Sequence, residues 1–184
     1  QYGKSTVFPY DGSLLNDRPP LVLEATVNLP QDTFPITVIV NHLRSLSDID
    51  DAVEGPRVRA KRQAQAEFLA DLILDLQVAD GGRLTASVGD YNAYEFSDGY
   101  VDVVGTVRGN PALASEVLIQ VSNDLLDPNL FNLYDMVPAE ERYSFTFDGN
   151  AQSLDHILVN ANLFNQIVRM ESARVNADFP QIYY

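Results

Sequence analysis

Three short stretches of this sequence hold the side chains best suited to chemistry. In Gly89-Asp90-Tyr91-Asn92-Ala93-Tyr94 a carboxylate and a carboxamide lie two residues apart, directly after an apolar run, Leu84 to Val88, that reads as a strand. At a strand's end, residues two apart point the same way. Both then offer oxygen to a hard cation such as Mg2+, Mn2+ or Ca2+, and the amide also donates to a phosphate. The same string is equally good turn chemistry, because Asp and Asn bond their own backbone. Alone, it leaves both readings open.

The second stretch, Asn41-His42-Leu43, ends another apolar run. A histidine at the mouth of a strand can donate to a phosphate oxygen or shuttle a proton near neutral pH. It can also be tied to a backbone carbonyl as a structural group. The third, Leu154-Asp155-His156-Ile157-Leu158-Val159, opens a strand. Asp155 there can orient an imidazole, cap, or pair with a surface arginine. His156 alternates to the opposite face and reads as structural.

These stretches need elements to hold them. Residues 1–20 are rich in Gly, Pro, Asp and Ser and read as loop, closed by Pro19-Pro20. Leu21, Leu23, Ala25, Val27 and Leu29 share one face of a strand. Ile36 to Val40 is β-branched throughout and reads as a buried strand, with a hairpin between the two. Phe68, Leu69, Leu72, Ile73 and Leu76 make the apolar stripe of a helix from roughly Arg57 to Gln77. A short helix is expected before Asn110, a loop over 124–132, a strand over 143–147 with a turn at Asp148-Gly149, and a last strand over 155–160. Residues 111–121 are undecided between helix and extended chain.

The helix opens on a basic cluster, Arg57, Arg59, Lys61 and Arg62, which opposes the helix dipole. Asp48, Asp50, Asp51 and Glu54 lie just upstream. Internal pairing with them is one answer to the cluster, and contact with an anionic substrate is the other. The acidic loop misses the calcium-loop pattern, because Ala52 occupies the third alternate ligand position.

The chain has 184 residues, room for one domain with a real core. Twelve Lys and Arg stand against 26 Asp and Glu, a net charge of −14. Such a surface repels phosphate backbones at long range, so any nucleic-acid contact needs a local basic patch or metal ions. There is no cysteine, which excludes disulfides and thiolate metal sites. No apolar run approaches the roughly 20 residues that span a membrane.

Taken together and in order, the motifs resemble the endonuclease/exonuclease/phosphatase superfamily, with its deoxyribonuclease I-like fold. Val38 to Ser45, VIVNHLRS, is similar to the family's histidine strand, and Arg59 to Leu76 to the helix that follows it. Gly89 to Gly105, GDYNAYEFSDGYVDVVG, is close to the version in large bacterial extracellular nucleases, and Tyr143 to Asn160, YSFTFDGNAQSLDHILVN, resembles the segment with an orienting aspartate. The resemblance runs from about Arg18 to the C-terminus. It implies an α/β fold, a four-layer α/β/β/α sandwich. It also implies a metal-dependent phosphodiesterase, a nuclease hydrolysing DNA or RNA by in-line attack of activated water, with Mg2+ (or Mn2+ or Ca2+) as cofactor. The location implied is secreted or extracellular, with periplasm or cell surface as variants.

Residue by residue, the resemblance implies that His42 contacts phosphate or acts as acid–base. Asp90 positions the attacking water or binds metal, and Asn92 orients the scissile phosphate and assists at the metal. Asp155 orients a second catalytic histidine, and Asn41 supports substrate binding. The family's opening strands, with a metal-site asparagine and a metal-binding glutamate, and its closing Ser-Asp-His have no counterpart here. Residues 1–184 are therefore expected to be the central and C-terminal part of one domain, inactive alone and completed by the rest of the domain or parent chain. Two rival readings stand beside this one. One is a sphingomyelinase- or phosphoinositide-phosphatase-like hydrolase of the same fold; the other is a non-catalytic binding or assembly module at a cell surface or in a filament.

Overall fold

The alternation in residues 21–29 and the β-branched run after it resolve into a hairpin. In a computed structural model that describes residues 1–120, 123–175 and 177, β1 (Leu21–Asn28) and β2 (Thr33–His42) pair antiparallel, from Leu21↔Val40 to Asn28↔Thr33. The long helix α1 (Gly55–Ala79) starts two residues earlier than its apolar stripe suggests, because Pro56 suits the first turn, where its missing N–H costs nothing. It leads into β3 (Leu84–Asp90), which runs parallel to β2 in a β-α-β crossover.

Beyond β3 come α2 (Val103–Arg108), β4 (Phe131–Asn132), the hairpin β5 (Phe145–Phe147) and β6 (Asn150–Gln152), β7 (Asp155–Val159) and α3 (Ala161–Phe164). Positive φ at Asp148 and Gly149 makes the hairpin turn between β5 and β6. Residues 111–120 form neither helix nor strand, and residues 121–122 lie outside the described residues. The 124–132 stretch, expected as loop, ends in the short edge strand β4. The main sheet is mixed, in the order β1-β2-β3-β7-β4.

Its two faces differ. One carries Ile39 and Leu158 and is covered by α1 and α2, whose Ala66, Leu69, Leu72, Ile73, Val104 and Val107 are buried against it. The other carries Ile36, Val38, Ala86, Val88, Ile157 and Val159. Leu133, Leu163 and neighbours cover it over β3 and β7, and Phe34 and Ile36 of β2 pack against that cluster. Over the rest of the hairpin it is bare: Leu23 is 56% exposed and Val40 43%. The fold is thus mixed α/β, as expected, but the second sheet of a four-layer sandwich is not found among the described residues. The only other sheet there is the two-stranded β5–β6 hairpin, too small to cover the face.

Gly89 sets the close pairing at the strand ends. Its φ of +130° is open to glycine, and a Cβ there would stand 2.1 Å from the backbone oxygen of Asn41. Only glycine lets β3 approach β2 closely enough to bring Asp90 opposite His42. Gly89→Ala should therefore cost more than about 1 kcal/mol of stability. The urea midpoint checks this, with the amide resonances of His42 and Asp90 shifting most. An unchanged midpoint would show that the strands tolerate separation.

Candidate active site

Register places the candidate residues. His42 pairs with Asp90 across the parallel β2–β3 ladder, and Asp90 pairs with Asp155 across β3–β7. Side chains paired in this way point to the same face, so the three form one row along the strand ends. The row closes the apolar, partly bare face of the sheet. His42 Nε2 lies 3.5 Å from Asp90 Oδ2, with the side chains 42% and 33% exposed. The His42 ring stays open to solvent beside Asp90.

Asp90 does two things at once. Its Oδ1 accepts from the Asn92 backbone N–H at 2.7 Å, which is the turn contact the string suggested. Its Oδ2 faces His42. The turn throws Asn92 into the left-handed region, φ +48°, which asparagine tolerates. The Asn92 amide then donates to Leu43 O at 3.0 Å, tying it to the residue after His42. Asn92 lines the cleft beside His42. The turn therefore sets where Asp90 Oδ2 and the Asn92 side chain lie.

Asp155 has its carboxyl pushed up, first by burial and then by the charge of Asp90, while His42 opposes the shift. The sequence holds two histidines, and neither is oriented by Asp155. His156 is 1% exposed on the other face of the sheet. Its Nε2–H donates to Ala93 O at 2.8 Å, and its Nδ1 accepts from the Asn132 amide at 3.1 Å. Tyr91 and Tyr134 pack edge-on against it. Burial holds its pKa below the ordinary value. His156 is thus a neutral strut between β7 and the loop that carries Asn92.

Asn41 requires a correction. Strand alternation turns it away from His42 into the covered face, where it is 4% exposed and donates to Ser87 Oγ and Val88 O. A side chain sealed there cannot touch substrate; it fixes the spacing of β2 and β3. The basic cluster is internally paired, though with other partners than the upstream acids. Arg57 pairs with Asp11 and Lys61 with Asp17, both on the N-terminal segment lying along α1. Arg59 donates to Ile49 O and sits over the Tyr100 ring. Asp51 is occupied with its own turn, accepting from Val53 and Glu54 N–H.

Arg62 is the fourth member and the most consequential. Its side chain is 1% exposed, and its Nη1 donates to both Arg44 O and Asn92 O, at 2.7 and 2.8 Å. Nη2 meets Asp98 Oδ2 at 3.1 Å. Burial draws its pKa down while Asp98 opposes; a guanidinium stays charged all the same. One cation thus clamps the segments after β2 and after β3.

Between the two lies an open cleft of about 680 Å³, with His42 and Asn92 on its wall together with Arg18, Arg44, Arg57 and Lys61. Arg18 is exposed and makes no hydrogen bond or ion pair among the described residues. It is the cation left for a ligand, and sequence reasoning passed over it, since an arginine before Pro19-Pro20 looks like any surface arginine. The cleft suits an anion: it has a free guanidinium, an amide and an imidazole.

The metal site expected at Asp90 and Asn92 is sparse. Among the described residues no group of three or more His, Cys, Asp or Glu side chains could enclose a cation. What is present is a carboxylate oxygen, an amide oxygen and a second carboxylate strained by the first. Those hard donors suit Mg2+, which keeps several waters and takes its remaining ligands from a substrate phosphate.

No family model matches the chain, and no curated protein does. Among solved structures it is similar to truncated Caenorhabditis elegans TDP2, at 17% identity and a TM-score of 0.49, over 83% of this chain and 49% of that one. It is also similar to the human nocturnin catalytic domain with bound sulfate anion, at 14% and 0.45, over 77% and 42%. A third is sphingomyelinase C from Streptomyces griseocarneus, at 16% and 0.41, over 77% and 42%. The chain spans about half or less of the length of each. These likenesses are weak, and the chemistry of the site rests on the contacts above.

Two outcomes test the scaffold. Arg62→Met should lower unfolding free energy by about 3–5 kcal/mol, because it strands Asp98 without its cation; denaturant unfolding reads this. For His156, the folded pKa lies below the unfolded value of about 6.5. Its stabilising contribution is therefore complete above pH 6.5 and is lost as pH falls through the folded value. His156→Gln should be less stable than the parent at pH 7.5, with a shallower decline toward pH 5. Parallel pH curves would show that His156 is not the buried neutral group.

Proposed function

We propose that this chain is part of a phosphodiesterase of the endonuclease/exonuclease/phosphatase superfamily, and that its substrate is nucleic acid. The register row His42–Asp90–Asp155, beside a cleft with one unpaired arginine, is the observation that carries this reading. In it, Arg18 neutralises a non-bridging phosphate oxygen. The Asn92 amide, locked by Leu43 O and the Asp90 turn, orients the phosphorus for in-line attack. His42, paired with Asp90 Oδ2, donates a hydrogen bond or a proton to the phosphate or leaving oxygen. Asp90 positions the attacking water and accepts its proton.

Asp90 and Asn92, with Asp155 adjacent, would hold Mg2+ or a like cation. When bound it would supply charge neutralisation and lower the pKa of the attacking water. It would also relieve the repulsion between the two carboxylates. The local cations and such a metal answer the overall charge of −14, which otherwise opposes a polyanion. The bare apolar face of β1 and β2 supports a second β-layer, the remaining part of the same domain or parent chain, as the partner that completes the sandwich. Burying a leucine such as Leu23 stabilises by about 1.5–3 kcal/mol, which favours that docking. Secretion is carried by the motif resemblance alone. No described helix is long and apolar enough to cross a membrane.

The test uses an active parent polypeptide that contains these residues, assayed with Mg2+ on plasmid DNA, RNA and sphingomyelin. His42→Ala and Asp90→Ala should each lower kcat on nucleic acid by about 10²-fold or more with little change in Tm. Full activity in either variant, or turnover confined to sphingomyelin, overturns the reading. The 184-residue chain alone should leave DNA uncut, since its apolar face is uncovered and its metal donors are few.

A further inference from the structure

A second cavity adjoins the anion cleft. It has a volume of about 490 Å³, and Tyr94, Tyr100, Phe145 and Phe147 line it. Phe145 and Phe147 are two apart on β5 and so face the same way. Tyr94 is backed by Phe96, its ring stacked at 5.5 Å. Asp50 and Asp98 also line it, and no lysine or arginine does. Asp98 is engaged by Arg62, while the exposed Asp50 accepts from the Tyr100 hydroxyl.

The position of the cavity decides what it can take. Asn92 and Ser45 line both this cavity and the cationic cleft, so the two spaces share a wall at the residue aimed at phosphate. A ligand seated in both has an anionic group joined by a short link to a flat apolar ring. The aromatic walls favour a π-face. The exposed carboxylate of Asp50 repels a second phosphate and can accept from a ring N–H group. A nucleotide has this shape and charge. A base inside a double helix is already paired and stacked, so the base that enters is an unpaired one.

We propose that the Tyr94–Tyr100–Phe145–Phe147 cavity binds the base of an unpaired nucleotide whose phosphate lies in the adjoining cleft. The cavity makes the protein selective for single-stranded or flipped-out nucleotides. This rests on the phosphate reading of His42, Asn92 and Arg18, and the experiment separates the two.

The 15N-labelled 184-residue protein is titrated in Mg2+ buffer with adenosine 5′-monophosphate, ribose 5-phosphate and dodecyl phosphate, and amide shifts are followed. Adenosine monophosphate should bind about tenfold or more tightly than ribose 5-phosphate, the scale of one base–aromatic stack. Only the nucleotide should shift amides of the 145–152 hairpin. Phe147→Ala, at a side chain already 51% exposed, should bring nucleotide affinity down toward that of ribose 5-phosphate. Tyr94→Leu should do the same, and the spectra themselves report whether each variant is folded.

Equal binding of nucleotide and sugar phosphate, or a base advantage surviving both substitutions, overturns the base site and leaves the phosphate site standing. Tighter binding of dodecyl phosphate than of the nucleotide overturns it in favour of an acyl chain. Binding of none of the three overturns both readings.

Discussion

The arrangement depends on one buried cation. Arg62 lies at a helix position where an arginine would ordinarily reach for solvent, yet it is sealed in and donates to backbone oxygens of two separate segments. Isolated, a buried guanidinium would cost several kcal/mol. Here Asp98 and the carbonyls of Arg44 and Asn92 satisfy most of it, with only Nε left without a partner. The consequence is geometric. The chain leaving β2 after His42 and the chain leaving β3 after Asp90 are pinned to the same rigid helix. The cleft between them is therefore held by protein contacts before any ligand arrives.

Below that clamp, the sheet works as a ruler. Pairing across β2, β3 and β7 brings residues 42, 90 and 155 into one row from three distant parts of the chain. The same ladder puts Asn41 and His156 on the other face, where each braces the segments around the site without facing the cleft. Polar residues on adjacent positions therefore have opposite duties, divided by the two-residue period of a strand. Gly89 makes the ruler accurate, since it alone permits the close approach of β3 to the Asn41 backbone.

The electrostatics follow from who is already paired. Arg57, Arg59, Lys61 and Arg62 look like a phosphate patch, but each is engaged by protein. They hold the N-terminal segment and the loops in place. Among the described residues that line the cleft, the cation without a protein partner is Arg18, which belongs to no cluster. A strongly acidic protein thus keeps one exposed, unpaired guanidinium at the wall of this cleft.

Much of this was legible in the sequence, and the limits have physical reasons. The longer strands, the long helix, the turn at Asp148-Gly149 and the structural character of His156 follow from local periodicity and from glycine and proline placement, while the short strands β4 and β6 carry no such periodicity. The Gly-Asp-x-Asn string could be read as turn or site because local chemistry is the same in both; only the fold shows the turn aiming Asn92 and leaving Asp90 Oδ2 toward His42. Asn41 was misread because adjacency in sequence suggests a shared role, while a strand turns neighbours to opposite sides. Arg18 and the partners of the basic cluster were beyond reach, since ion pairs such as Arg57 with Asp11 join residues far apart in the chain. The sequence by itself determined which residues could do chemistry and which elements hold them. The tertiary structure decided which of them face one another, because facing depends on sheet register and on a buried cation, both set by contacts between distant segments.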